Sequence, residues 1–240
     1  MKVKRQEIFY AIAVAVLIGY VMSFSKLLEL SKESWLLWLS ASIGALLIIA
    51  VNIMAKKFAA HKKGCEAEVD LWTFKRFWFF EKAHSKFPIP IWFILPLIIT
   101  WLSAGKLWWL AILTFEAKPA FSRVRERWTE LTEIDIALIA AAGIYANIIL
   151  AVILKVGGFH QLAVLSAWFA LFGLVPIGKL DGAKIFFGGD NGRLLWVFTL
   201  ALSLIVLIFV YIAGIAATII SAIIGALIIT ALYYIFVERK

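Results

Sequence analysis

Apolar residues run along this chain in long uncharged blocks separated by short basic stretches. Six blocks have the length of a membrane-crossing helix, near 8–24, 35–55, 134–154, 160–177, 194–213 and 215–237. Leu194 to Val237 would extend about 66 Å as a single helix, roughly twice a bilayer core, so it must fold back near Gly214. The first block follows Lys2, Lys4 and Arg5, and no small-x-small cleavage site follows it, which favours a retained helix over a signal peptide. Between the second and third blocks lie two shorter runs, 88–103 and 107–115. Pro88, Pro90 and Pro96 interrupt the first, and Ser103-Ala-Gly105 separates the two. They read as a hairpin that dips into the membrane and returns, which is tolerated where protein covers the broken backbone. Glu66-Ala-Glu-Val-Asp-Leu71 alternates polar and apolar residues, the period of a strand. It continues into the aromatic stretch Trp72–Phe80. Two readings stay open here: an interfacial segment anchored by aromatics, or a strand whose open edge receives an extended peptide by β-addition.

Composition agrees with the pattern. The chain is 64% hydrophobic and 16% charged, against about 45–50% and about 25% for a soluble domain. The fold class is therefore an all-α polytopic membrane protein with about six transmembrane helices, the membrane-dipping hairpin and a short cytoplasmic β segment. A formal charge of +9 is explained by topology rather than by a nucleic-acid partner. Twenty of the 24 lysines and arginines fall in 1–7, 56–87, 116–133, 178–193 and the C-terminus, leaving only Lys26, Lys32, Lys106 and Lys155 opposite. The positive-inside rule then puts both termini in the cytoplasm. The single cysteine, Cys65, excludes an intrachain disulfide. Without tandem repeats or a low-complexity linker, residues 1–240 form one membrane domain.

The most informative tripeptide is Leu180-Asp181-Gly182, at the mouth of an almost uncharged segment. A carboxylate there is costly unless it is solvated, paired or coordinating. Helix 35–55 ends in Val51-Asn-Ile-Met-Ala-Lys-Lys-Phe-Ala-Ala60, and helix 160–177 runs the same way towards Asp181. This arrangement, with Gly64-Cys-Glu-Ala-Glu68, Gly143-x-x-x-Asn147 and Pro176-x-x-x-Leu-Asp-Gly182, resembles the site-2 protease family of intramembrane zinc metalloproteases in its archaeal form. The resemblance covers about residues 35–187, with 194–237 as an extra C-terminal helical hairpin. It implies a His-Glu-x-x-His helix whose two imidazoles share one face, a Glu serving as general base for zinc-bound water, and Leu-Asp-Gly supplying the third ligand.

The departures from that pattern carry the functional reading. Alignment places Asn52 and Lys56 at the two His positions and Ile53 at the Glu, and the family's Asn before Leu-Asp-Gly is replaced by Gly173. Asn is a poor zinc ligand, a lysine ammonium has no lone pair, and Ile cannot move a proton. Asp181 alone survives as a metal ligand position, so no catalytic residue and no cofactor are expected, zinc returning only if ligands are displaced. The resemblance also brings Lys56 and Asp181 to the metal position. An ion pair between them, with Asn52 beside it, stands against two boundary residues snorkelling separately into water.

Other candidates are weaker. His61 and Cys65 are four apart, but His61 lies about 140° round the helix from Lys56 and ~7.5 Å further along it, so a basic cytoplasmic helix face is preferred to a substitute metal site. His84 and His160 stand alone. Gly143-x-x-x-Asn147 reads as helix packing, Ala217-x-x-x-Ser221-x-x-x-Gly225 as packing or homo-oligomer contact, Gly188–Gly192 as a turn, and Arg123–Arg127 as a headgroup-contacting stretch. The function implied is a proteolytically inactive homologue that binds transmembrane segments of other proteins or regulates an active relative, in the lipid bilayer. The alternatives are an active endopeptidase with displaced ligands, or a small transporter or scaffold; the near-absence of charges in the spans counts against a transporter.

Overall fold

A computed structural model describes residues 3–27, 32–76, 84–119, 131–212 and 215–238. In chain order the elements are α1 (Arg5–Leu27), α2 (Lys32–Lys62), β1 (Cys65–Leu71), β2 (Phe74–Arg76), β3 (His84–Ile89), α3 (Ile91–Leu102), β4 (Leu113–Pro119), α4 (Glu133–Val156), α5 (His160–Gly173), α6 (Asp181–Phe186), α7 (Gly192–Ile212) and α8 (Ile215–Tyr233), closed by a π-helical turn, Tyr234–Glu238. Helices α1, α2 and α4 are long and apolar enough to cross a membrane, and α3, α5, α7 and α8 contribute shorter apolar helices. The molecule is a mostly helical membrane protein.

The helices pack as antiparallel neighbours, α1 on α2, α2 on α4, α4 on α5 and α7 on α8. Close approach depends on small residues. A Cβ on Gly19 of α1 would lie 2.0 Å from Ser42 Oγ of α2, so only glycine permits this crossing. Helix α4 begins where its sequence says it should: Thr132 caps it by accepting from Asp135 N at 3.3 Å, acidic residues occupy the first turn, Lys155 the last, and Gly157 follows. Residues 213–214, where the fold-back was expected, lie outside the described residues; α7 and α8 do pack against each other.

The 88–115 region has two unlike arms. Its first run forms α3, which continues through Pro96 and reaches the C-terminal half of α1, where Trp101 Nε1 donates to Tyr20 Oη at 3.2 Å. The second run forms no helix. Residues 108–112 return extended, with Leu110, Ala111 and Ile112 buried, and lead into β4. Ile112 O accepts from Trp72 N at 3.0 Å and Trp72 O from Trp92 N at 2.9 Å, so both arms are tied to the end of β1. An extended arm is tolerated because protein surrounds it and strand pairing satisfies its continuation.

The alternating segment is a strand, as its period of two suggested. Strand β1 pairs antiparallel with β4 from Cys65↔Pro119 to Leu71↔Leu113, and β2 pairs with β3 from Phe74↔Ile89 to Arg76↔His84 with a register shift. The short β segment expected from sequence is thus two two-stranded sheets. Residues 77–80 of the aromatic stretch lie outside the described residues. Nor is the β1 edge open at its centre. Antiparallel pairing points alternate backbone groups outwards, and the outward Val69 N donates to Glu7 Oε1 at 2.9 Å while the outward Ala67 O accepts from Lys57 Nζ at 2.9 Å. On the other strand, Phe115 O accepts from Lys184 Nζ. Charged side chains block both edges where an added strand would pair.

Candidate functional site

Three segments converge on the C-terminal part of α2. Asn52 and Lys56 lie one turn apart on that helix and share the face turned to α4. Gly143 of α4 makes room for them: a Cβ there would fall 2.6 Å from Lys56 Cε and 2.9 Å from Asn52 Nδ2. Asp181 opens α6, which is held against the preceding loop by its neighbour. A Cβ on Gly182 would sit 2.1 Å from Leu174 O and 2.2 Å from Leu174 C, a clash with backbone that no side chain can relieve. Thr114 Oγ1 donates to Lys179 O at 2.5 Å and Trp196 Nε1 to Leu174 O at 2.8 Å, fixing the approach from two sides.

Lys56 Nζ and Asp181 Oδ2 are 2.5 Å apart. The residues are 1% and 4% exposed, so this is a buried ion pair rather than two snorkelling boundary residues. Asp181 Oδ1 is buried with no hydrogen-bond partner among the described residues. Ile53, 6% exposed, packs into the surrounding core. The space lined by Asn52, Lys56, Gly173 and Asp181 is about 10 Å³, far too small for a peptide group.

A second lysine completes the cluster. Lys184 follows Asp181 by three residues; its Nζ donates to Thr114 Oγ1 at 3.2 Å and to Phe115 O, and lies 3.8 Å from the centroid of the Phe115 ring. Lys56 Nζ lies 5.4 Å from the same centroid. Phe115 is fully buried and has both ammonium groups within cation–π distance of its ring. Burial pulls the Lys184 amine down to about 8, Asp181 offsetting part of the shift and the Lys56 charge adding to it.

These residues do not fit zinc. A site needs at least three lone-pair donors, and the cluster offers one carboxylate already engaged by an ammonium, one amide and two lysines. Among the described residues, no three His, Cys, Asp or Glu side chains gather as a metal site elsewhere. His61 is exposed in the last turn of α2, and Cys65 is buried at the start of β1 with Sγ donating to Lys63 O at 3.3 Å, so the substitute site with Asp181 does not form.

The remaining candidates lie away from this cluster. Asn147 is fully buried, yet its amide has no partner among the described residues; the bond across to α5 uses its carbonyl, which accepts from Ser166 Oγ at 2.8 Å. Gly189, with φ of 83°, makes the turn ahead of α7. His84 pairs in register with Arg76, and His160 opens α5. Gly225 packs α8 on α7, a Cβ there meeting Ile205 Cδ1 at 2.7 Å. Arg123–Arg127 and the side chains at 217 and 221 lie outside the described residues.

Sequence reasoning passed over a second buried node. Lys57 Nζ is 2.7 Å from Glu7 Oε1, with side chains 6% and 3% exposed, and Glu7 also accepts from Val69 N at 2.9 Å and Lys4 N at 2.7 Å. It joins α1, α2 and β1. A lone carboxylate entering the first apolar block was the available signal.

Comparison with protein-family profiles, with curated proteins and with solved structures finds no match.

Proposed function

We propose that this chain is a proteolytically inactive membrane homologue of the site-2 zinc metalloproteases, which binds transmembrane segments of other membrane proteins or regulates an active relative. The observation that carries the proposal is the Lys56–Asp181 pair: the one carboxylate that matches the family's ligands faces an ammonium at the position of a ligand histidine. A positive side chain there supplies the charge a metal would supply, and none of its Lewis acidity. Ile53, at the position of the family's glutamate, adds no base.

The proposed topology has about six spans, α1, α2, α4, α5, α7 and α8, with both termini and the pair on the cytoplasmic side. Its support is the distribution of basic residues, twenty against four. The ends of α2 and α5 then reach the same boundary as β1 and β4.

Reconstitution with labelled single-span peptides tests the proposal. Energy transfer between protein and peptide should report association while the peptide stays intact. Cleavage that disappears in Asp181→Ala would overturn the inactive assignment, and absence of association across a varied panel of spans would overturn the binding role.

A further inference from the structure

A second site lies about 22 Å from the pair along α2, the rise from Ala41 to Lys56. Here the C-terminal ends of α1 and α7 meet the N-terminal ends of α2 and α5 around a cavity of about 480 Å³, within the roughly 300–1,000 Å³ of small-molecule sites. Met22, Leu37, Ala41, Trp108, Leu162 and Val164 give it apolar walls. His160, Gln161 and Tyr211 bring polar groups to it.

The hydrogen-bond connections of those groups decide what they offer. Lys155 Nζ is 3.1 Å from His160 Nδ1 and 2.7 Å from Val210 O. An ammonium can only donate, so in this contact Nδ1 accepts and Nε2 is the ring's donor. Trp168 Nε1, also a donor only, lies 3.2 Å from Tyr211 Oη. Tyr211 therefore accepts from the indole and keeps its own hydrogen to give. The two rings are neighbours, edge to face at 6.3 Å. Lys155 forms no ion pair among the described residues and has one N–H left over. The first turn of α5 adds to this: its N-cap, Phe159, provides no side-chain acceptor, and the positive end of that helix is at Gln161 and Leu162.

From this we propose that the cavity binds one apolar chain bearing an anionic oxygen head. The chain lies between α1, α2 and α5, and the head accepts from His160 Nε2 and Tyr211 Oη beside the Lys155 charge. A fatty-acid carboxylate and the phosphate of a single-chain phospholipid share this chemistry. The larger groove of about 750 Å³ between α1, α2 and α3 has aromatic walls but no charge to select an occupant.

Displacement of a fluorescent fatty acid from the purified full-length chain tests the proposal, with oleate, lysophosphatidate and uncharged monoolein as competitors. At least one of the two anions should displace the probe, ten-fold or more better than monoolein, and their ranking identifies the source of the head. Tyr211→Phe, a change at a half-exposed residue that leaves packing intact, should weaken that anion at least three-fold and leave monoolein unchanged. Ala41→Phe, which puts a ring into the cavity and narrows it, should weaken binding at least ten-fold; Leu37→Trp repeats this should Ala41→Phe fail to fold. Equal displacement by monoolein, or undiminished binding in a folded cavity-narrowing variant, overturns the proposal.

Discussion

Removing either member of the Lys56–Asp181 pair strands the other, and the two singles should differ. At 2.5 Å the attraction is ~6–7 kcal/mol at an effective dielectric of about 20. Desolvation costs several kcal/mol per ion, so the intact pair is worth little net, whereas breaking it costs about 3–5 kcal/mol. Lys56→Met should fall near the low end, because Asp181 keeps Lys184 as a neighbouring charge. Asp181→Leu should fall near the high end, because it leaves two lysines against one phenylalanine ring. The double variant Lys56→Met/Asp181→Leu should regain most of the loss, giving a coupling of at least about 3 kcal/mol. Thermal unfolding in detergent reads this directly: at about 2–4 °C per kcal/mol for a chain of this size, each single lowers Tm by roughly 6–20 °C. Losses that add to within about 0.5 kcal/mol, as for independent sites, would refute the reasoning.

Other outcomes follow from neighbouring contacts. Gly143→Ala should cost about 1–3 kcal/mol by overpacking, and a thermal melt in the Lys56→Ala background should show part of that cost relieved, since the new Cβ would meet Lys56 Cε at 2.6 Å. Glu7→Gln should cost about 3 kcal/mol by removing the charge opposite the buried Lys57 ammonium, and hydrogen exchange should rise first at Val69, whose amide then donates to a neutral amide oxygen in place of a carboxylate. Hydrogen bonds from Lys118 and Lys4 hold the Glu68 carboxyl at about 2, below its ordinary 4.5. That contribution is complete above pH 4.5 and is lost as pH falls towards 2; acid titration of wild type against Glu68→Gln should show it as no more than about 1 kcal/mol, the value of an exposed pair.

The sequence made the long helices legible because hydropathy alone marks them, but it marks the apolar run and not the helix end: α2 continues past the run at 55 into polar residues as far as Lys62. The strand at the end of the 107–115 arm was not legible because Leu-Trp-Trp-Leu-Ala-Ile-Leu is equally apolar as a helix or as a buried extended segment, and only the pairing with β1 decides between them. The sheet edges looked open because their blockers, Glu7 and Lys57 on β1 and Lys184 on β4, come from distant parts of the chain. At the site, Asn52, Lys56 and Asp181 were legible through the resemblance and one helical spacing. Lys184 and Phe115 were not, because their place beside the pair depends on the strand register and on the docking of α6, for which Gly182 is essential.

Zinc stoichiometry is the most direct test of the central claim that an ammonium stands where the family's metal would be held. Purified wild-type protein should carry no stoichiometric zinc, whereas the triple variant Asn52→His/Ile53→Glu/Lys56→His should bind about one ion per chain and lose it when Asp181→Ala is added. Stoichiometric zinc in the wild type, lost on Asp181→Ala, or a folded triple variant that takes up none, would contradict the account.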